Sequence, residues 1–176
     1  MKAVRLLEYG GQLVFNDVPT PTIARDEILV RIRSTAVNHL DLVEASGAAR
    51  QIFPLDLPWI PGHEFSGVVE QIGGDVGACV PGDDVFGTTS GMGAYAEYLA
   101  VKVAAIARKP SNLSFEEAAS VPVASQTAWQ GLFTPRSPGK GTNDPDPWWR
   151  RRCGRLCGAI GIACRRHRHC HGKRRR

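Results

Sequence analysis

A turn rich in proline and glycine, Pro58-Trp59-Ile60-Pro61-Gly62, leads directly into His63-Glu64 and then into the apolar stretch Phe65-Ser66-Gly67-Val68-Val69. Proline restricts the backbone of the turn, and the β-branched and aromatic residues that follow favour a strand. The polar residues therefore lie at the turn, and the strand behind them packs against a core. This stretch predicts a β-rich domain with a His-Glu pair at the start of one of its strands.

The remainder of the first 133 residues is typical of short strands separated by Gly/Pro turns. One strand alternates apolar and polar residues, which predicts a single buried face with Ile28, Val30 and Ile32. Short strands at this spacing favour a barrel-like or sandwich domain. The predicted strands are Lys2 to Leu7, Leu13 to Val18, Glu27 to Ser34, Glu64 to Ile72, a strand that opens at Pro81-Gly82-Asp83, and Tyr95 to Val101.

The pattern changes from strand to helix after residue 113. Ser114 and Glu117 are spaced as a capping box, so a helix is expected to begin near Phe115. Pro122 is expected to interrupt this helix, and Ser125 to Phe133 to form a second helical run.

Charge and cysteine content change at the end of this region. Residues 1–133 carry 9 Lys and Arg against 15 Asp and Glu, whereas residues 134–176 carry 13 against 2. Four of the five cysteines also lie in residues 134–176. We therefore predict a folded domain over 1–133 and a basic, disordered tail over 134–176.

Five motifs follow one another within residues 1–133. They are Ala36-Val37-Asn38-His39-Leu40-Asp41, Pro61-Gly62-His63-Glu64, Val80-Pro81-Gly82-Asp83-Asp84-Val85, Gly93-Ala94-Tyr95-Ala96-Glu97-Tyr98 and Leu113-Ser114-Phe115-Glu116-Glu117-Ala118-Ala119. In these motifs and their order the chain resembles the medium-chain dehydrogenase/reductase superfamily. The superfamily includes zinc alcohol dehydrogenases and metal-free quinone reductases. The resemblance implies a mainly β, GroES-like barrel as the catalytic domain, followed by a Rossmann nucleotide-binding domain. Residues 134–176 contain no Gly-x-Gly-x-x-Gly motif, so that second domain is expected to be missing.

The zinc ligands of the alcohol dehydrogenases are replaced in this sequence. In zinc-dependent relatives a Cys, the His of Gly-His-Glu and a later Cys bind the catalytic metal. Asn38 stands at the first position and Val123 or Ala124 at the last, which leaves His63 as the one matching ligand. We therefore predict no catalytic metal, and we expect a hydrogen bond to satisfy His63. The alternative is a zinc-dependent, alcohol dehydrogenase-like protein.

Resemblance to the quinone reductases implies NADPH-dependent hydride transfer to a quinone or conjugated carbonyl, with homodimers in the full-length family. By match to the family motif, Asn38 and Thr127 would border the nicotinamide. His63 and Tyr95 are candidates for the substrate cleft, although Tyr95 fits a core-packing aromatic equally well. Asp41 is expected to cap backbone N–H groups rather than take part in chemistry. Without a signal peptide or apolar span, the protein is expected to be cytoplasmic, with no membrane partner.

The basic tail leaves three alternatives open. One is that the tail is a GC-rich gene read out of frame, as its composition suggests, with the shift between about Thr134 and Thr142. A second is a zinc site in the tail, although the spacing of its cysteines and histidines is a poor match to paired zinc knuckles. Its arginine clusters would also bind polyanions without being specific for a nucleic acid, as a non-enzymatic alternative.

Overall fold

The computed structural model describes residues 1–89 and 93–133, and the side chains only as far as residue 130. The chain divides into a unit from Met1 to Val123 and a second unit that begins at Ala124. The predicted disorder and shifted frame of residues 134–176 lie outside the described residues. The domain boundary at residue 133 therefore stays a prediction.

The first two predicted strands form a hairpin around Gly10-Gly11. β1 (Lys2–Leu6) pairs antiparallel with β2 (Leu13–Asp17). Two isolated bridges then attach β1 to later parts of the unit, with Ala3 opposite Ala96 and Leu6 opposite Trp59. The turn before His63 is therefore attached to the hairpin.

Five strands make up the main sheet, in the order β6-β3-β4-β5-β7, and every neighbouring pair is antiparallel. The alternating segment and the stretch after His63 become β3 and β4 at the centre of this sheet, which confirms the mainly β, GroES-like prediction. The strand bounds are β3 (Glu27–Thr35), β4 (Glu64–Ile72), β5 (Asp84–Thr88), β6 (Tyr98–Lys102) and β7 (Ile106–Arg108).

The core lies on the face of the sheet predicted from β3. Ile28 and Val30 are fully buried there with Phe65 of β4. The prediction of one buried face was incomplete, because Leu29 on the opposite face is also buried at 4% exposure. β3 is an inner strand, paired with β4 along one edge and with β6 along the other, and α2 packs against it.

Tyr95 was predicted to begin a strand, but it lies outside the observed one. β6 begins at Tyr98, and Tyr95 is in a bend before it. The bend forms because the Tyr95 N–H donates to the Pro61 carbonyl at 2.9 Å, and its own carbonyl accepts from the Val4 N–H at 2.8 Å. Its backbone therefore bonds the turn before His63 and the hairpin, outside the sheet ladder.

Three α-helices and a short 3₁₀ turn complete the described residues: α1 (His39–Ala45), α2 (Phe115–Ala119), α3 (Pro122–Phe133) and the turn Val103–Ala105. The predicted capping box is confirmed, since Ser114 Oγ accepts from the Glu117 N–H at 3.2 Å and Glu117 Oε2 accepts from the Ser114 N–H at 2.8 Å. Pro122 begins α3 instead of only interrupting α2, because a proline is well tolerated in the first turn of a helix. No helix among the described residues is long and apolar enough to span a bilayer.

Candidate functional site

Asp41 holds together the three segments that carry the predicted site residues. Its Oδ2 accepts from the Asn38 backbone N–H at 2.7 Å and from the Tyr95 hydroxyl at 3.2 Å. Its Oδ1 accepts from the Gly62 N–H at 3.2 Å. Asp41 is 3% exposed, so these donors replace the water that a free carboxylate would bind. The prediction that Asp41 caps backbone N–H groups is confirmed.

His63 meets a carboxylate that the sequence analysis did not connect with it. Its Nε2 lies 2.8 Å from Glu44 Oε2 and 3.7 Å from Asp41 Oδ1. Glu44 and Asp41 lie three positions apart on α1, so both face the same side of this helix. His63 is therefore hydrogen-bonded, as expected, and its role in a substrate cleft stays a prediction. The i, i+3 spacing of Asp41 and Glu44 was the available signal.

Glu64 contacts Asn38 rather than its neighbour His63. Its Oε1 accepts from Asn38 Nδ2 at 2.9 Å, and its Oε2 accepts from the Val123 N–H at 2.8 Å. Successive side chains of a strand point to opposite faces, which separates Glu64 from His63. Asn38 and His63 are thus each bonded to a buried carboxylate, Glu64 and Glu44 respectively.

Tyr95 packs against the turn that carries His63. A Cβ atom added to Gly62 would lie 2.6 Å from Tyr95 Cδ1, and Gly62 has a φ of +104°. Burial, followed by the nearby Asp41 carboxylate, raises the pKa of the Tyr95 hydroxyl well above its ordinary value. The neutral Tyr95 hydroxyl therefore keeps its proton and donates a hydrogen bond to Asp41.

Tyr95 also lines an open groove of about 580 Å³ between the hairpin and β3. Most of the other lining residues are apolar, and β1 and β3 each add a charged side chain. These lining residues are Lys2, Ala3, Val4, Phe15, Ile32, Arg33, Ser34, Thr35, Val37, Ala94, Ala96 and Glu97. Asn38 and His63 are not among them. Whether Tyr95 contacts substrate stays a prediction.

Thr127 belongs to α3 in the second unit and is exposed. The structure therefore brings Asn38, His63 and Tyr95 together through Asp41, Glu44 and Glu64. The approach of Thr127 to Asn38 remains a prediction.

The residues present do not fit the catalytic zinc of the alcohol dehydrogenases. Asn38 and Val123, at two of the ligand positions, both donate hydrogen bonds to Glu64 and offer no thiolate. Asp41, Glu44 and His63 do place possible ligand atoms within 4.8 Å of one another. However, Asp41 already accepts three hydrogen bonds and Glu44 is bonded to His63. The hydrogen-bonding capacity of these side chains is therefore met within the protein.

Comparison with known proteins agrees with this geometry. Residues 24–111 match the family described as the alcohol dehydrogenase GroES-like domain. The NAD(P)H oxidoreductase RTN4IP1, mitochondrial, of Dictyostelium discoideum is 37% identical over 141 residues, which cover 76% of this chain and 40% of that protein. The NADPH-dependent alkenal/one oxidoreductase, chloroplastic, of Arabidopsis thaliana is 34% identical over 143 residues, which cover 75% of this chain and 37% of that protein.

A solved structure supports the same assignment. The quinone oxidoreductase from Coxiella burnetii superposes with a TM-score of 0.70 at 32% identity, over 75% of this chain and 44% of that one. The chain thus spans about 40% of the length of the relatives it matches. Because the family match covers half of the sequence, the protein belongs to the family of alcohol dehydrogenase GroES-like domains, in the quinone oxidoreductase-like branch of the medium-chain dehydrogenase/reductase superfamily.

Proposed function

We propose that this chain is the catalytic part of an NADPH-dependent oxidoreductase that reduces a quinone or a conjugated carbonyl compound without a metal. The observation that carries the proposal is the Asn38 amide, which stands at a zinc-ligand position of the alcohol dehydrogenases and donates to the buried Glu64 carboxylate at 2.9 Å. A polarised carbonyl acceptor needs orientation more than a Lewis acid. The names of the relatives, which include an alkenal/one oxidoreductase and a quinone oxidoreductase, support this class of acceptor.

Bound NADPH would supply the hydride, and the protein would hold the nicotinamide ring in place. Asn38 fits this role because its side chain is half-buried and fixed at the start of α1. We also assign Thr127 to the nicotinamide, by its match to the family motif. Tyr95 and His63 are proposed to border the acceptor, which is a small molecule. We also propose a cytoplasmic location.

The phosphates of NADPH require a glycine-rich turn and a helix N-terminus. Residues 134–176 contain no such motif in their sequence. We therefore expect this chain to meet only the nicotinamide end of the cofactor and to show little or no NADPH-dependent quinone reduction on its own.

The test is a titration of the ¹⁵N-labelled chain with reduced nicotinamide mononucleotide, which carries the nicotinamide end alone. We expect millimolar binding that shifts the Asn38 side-chain amide signal. The variant Asn38→Ala should weaken binding, whereas Asn112→Ala, at an exposed asparagine in the loop before α2, should not. Binding that EDTA abolishes and Zn²⁺ restores would contradict a metal-free site. Saturation of the chain by micromolar NADPH would contradict the expected loss of the phosphate site.

A further inference from the structure

Glu64 is a buried carboxylate that lacks a cationic partner among the described residues. It is 2% exposed, and in residues 1–89 and 93–133 no Lys or Arg side chain forms an ion pair with it. Taking a carboxylate out of water costs several kcal/mol unless strong hydrogen bonds replace its solvation. The two N–H donors from Asn38 and Val123 take the place of that solvation.

These two bonds determine the orientation of the Asn38 amide. An ionised carboxylate accepts hydrogen bonds and cannot donate, so the atom of Asn38 that faces Glu64 must be Nδ2. The amide of Asn38 therefore has one preferred orientation rather than two.

The second bond ties this amide to the start of α3. Val123 is the second residue of the helix, and its N–H is one of the donors that a helix leaves without an intrahelical acceptor. A negative charge is also favourable at a helix N-terminus. One carboxylate thus joins Asn38, the first residue of β4 and the first turn of α3.

We propose that Glu64 is the positioning residue of the hydride-transfer site, because its buried carboxylate holds the Asn38 amide in a single orientation and ties it to Val123 before any ligand binds. The inference rests on the proposed function for the identity of the ligand. Glu64 itself does not touch the cofactor and acts through Asn38.

The variant Glu64→Gln tests the orientation in the free protein. A glutamine keeps the size of the side chain but offers one acceptor and one donor group. Its oxygen is expected to keep the Val123 N–H, so its NH₂ group would face Asn38 and force the asparagine amide to turn over. In ¹⁵N-labelled chain the Asn38 side-chain signals should therefore shift strongly, while the remaining backbone spectrum stays that of the folded protein. The matched control is Glu117→Gln, which changes an exposed carboxylate that accepts the Ser114 N–H.

Binding of reduced nicotinamide mononucleotide tests whether the orientation matters. We expect Glu64→Gln to weaken binding about tenfold, the effect of one hydrogen bond. In the Asn38→Ala background the same substitution should change binding less than twofold, because the residue through which Glu64 acts has been removed. A merely structural role would weaken binding equally in both backgrounds.

The outcomes separate this inference from the proposed function. If the wild-type chain does not bind reduced nicotinamide mononucleotide, the proposed function fails, and the Asn38 signals of the free variant still decide the positioning role. If Glu64→Gln leaves those signals unchanged, Glu64 does not position Asn38. If it shifts them but weakens binding equally with and without Asn38, the inference is also overturned. If Glu64→Gln loses the folded spectrum, Glu64 is a stability determinant and the positioning role is overturned. In that case Asn38→Asp, which places two carboxylates together, should also unfold the chain.

Discussion

The Nε2 atom of His63 lies 2.8 Å from Oε2 of Glu44, a residue that comes from a different element and is 3% exposed. Asp41 Oδ1 lies 3.7 Å from the same nitrogen and Asp41 is equally buried. One imidazole therefore faces two buried carboxylates. Asp41 has three further donors, whereas the Glu44 carboxylate has His63 as its one hydrogen-bond partner in the described part of the chain.

Removal of His63 should leave Glu44 buried without its donor. We expect His63→Ala to lower the free energy of unfolding by about 2–3 kcal/mol, because an unpaired buried carboxylate loses solvation without compensation. Urea denaturation measures the loss. The control His39→Ala, at an exposed histidine of α1, should change stability by less than about 0.5 kcal/mol.

The double variant His63→Ala/Glu44→Met identifies the cause. Replacing the orphaned carboxylate by an apolar side chain of similar size should recover part of the lost stability. A double variant less stable than His63→Ala alone would show that the loss does not come from the buried charge.

Alanine substitutions at Gly62 and Gly82 distinguish the stability cost of backbone strain from that of close packing. Both have positive φ values, +104° and +95°, but an added Cβ would lie 2.6 Å from Tyr95 Cδ1 at Gly62 and would meet nothing within 4 Å at Gly82. We expect Gly82→Ala to cost about 1–2 kcal/mol from strain alone, and Gly62→Ala to cost a further 1–3 kcal/mol from overpacking. Equal losses in urea denaturation would contradict the close approach of Tyr95 to the turn.

The sequence predicted the parts of the fold that depend on neighbouring residues. The turn before His63, the strand after it and the capping box of Ser114 and Glu117 are all fixed within a few positions, so local patterns were sufficient. The pairs that build the site were not predictable in this way. Glu44 and His63 are 19 positions apart, and Asn38 and Glu64 are 26 positions apart, so tertiary packing alone brings them together.

Helix α1 shows why the acidic pair was missed. Leu42 is 60% exposed, whereas Asp41 and Glu44 are buried. This is the reverse of the usual pattern for a surface helix, in which the apolar face packs inward. Propensity and hydrophobicity therefore indicate the wrong face. A buried acidic face is explained only by the donors of the turn that packs against it, including Gly62, His63 and Tyr95.

Tyr95 should ionise at more alkaline pH than a free phenol. Burial and the Asp41 carboxylate raise the pKa of its hydroxyl, so the folded state holds the proton more tightly than the unfolded state. The stability that this provides is fully present below about pH 10, the ordinary tyrosine value, and is lost as the pH rises through the folded-state pKa. We therefore expect unfolding free energy to fall above about pH 10, and Tyr95→Phe to reduce this fall.

Tyrosinate absorbance provides the direct measurement. Tyr95→Phe should remove the most alkaline ionisation step, and the control Tyr98→Phe should leave it in place. At neutral pH, Tyr95→Phe should lose about 1 kcal/mol with its hydrogen bond to Asp41. A titration curve whose alkaline step survives in Tyr95→Phe would contradict this position for the hydroxyl.

The coding DNA for residues 130–145 should show a shift of reading frame. Tryptophan has one codon, so Trp148-Trp149 must be TGG-TGG, and reading one nucleotide later with Arg150 as CGN gives Gly-Gly. With CGN codons throughout, residues 148–154 permit Gly-Gly-Ala-Gly-Gly-Val-Gly, of which the two tryptophan codons supply the first two glycines. The preceding Asn143-Asp144-Pro145-Asp146 permits the apolar strand Thr-Ile-Leu-Ile, and Leu156 to Gly161 permits a small-apolar helix. Strand, glycine-rich turn and helix would then follow in the order that a dinucleotide-binding unit requires, with the phosphates at the helix N-terminus.

Sequencing of the locus decides this prediction. We expect the shifted frame to stay open and to encode the Gly-Gly-x-Gly-Gly run. The frame-restored protein should then bind NADPH, measured by the change in nicotinamide fluorescence, whereas the present chain should not bind it in the micromolar range. An early stop codon in the shifted frame, or the absence of the glycine run, would instead leave a genuine basic tail. A salt titration with unrelated DNA characterises that tail, because steep salt dependence without sequence preference is all that its arginine clusters predict.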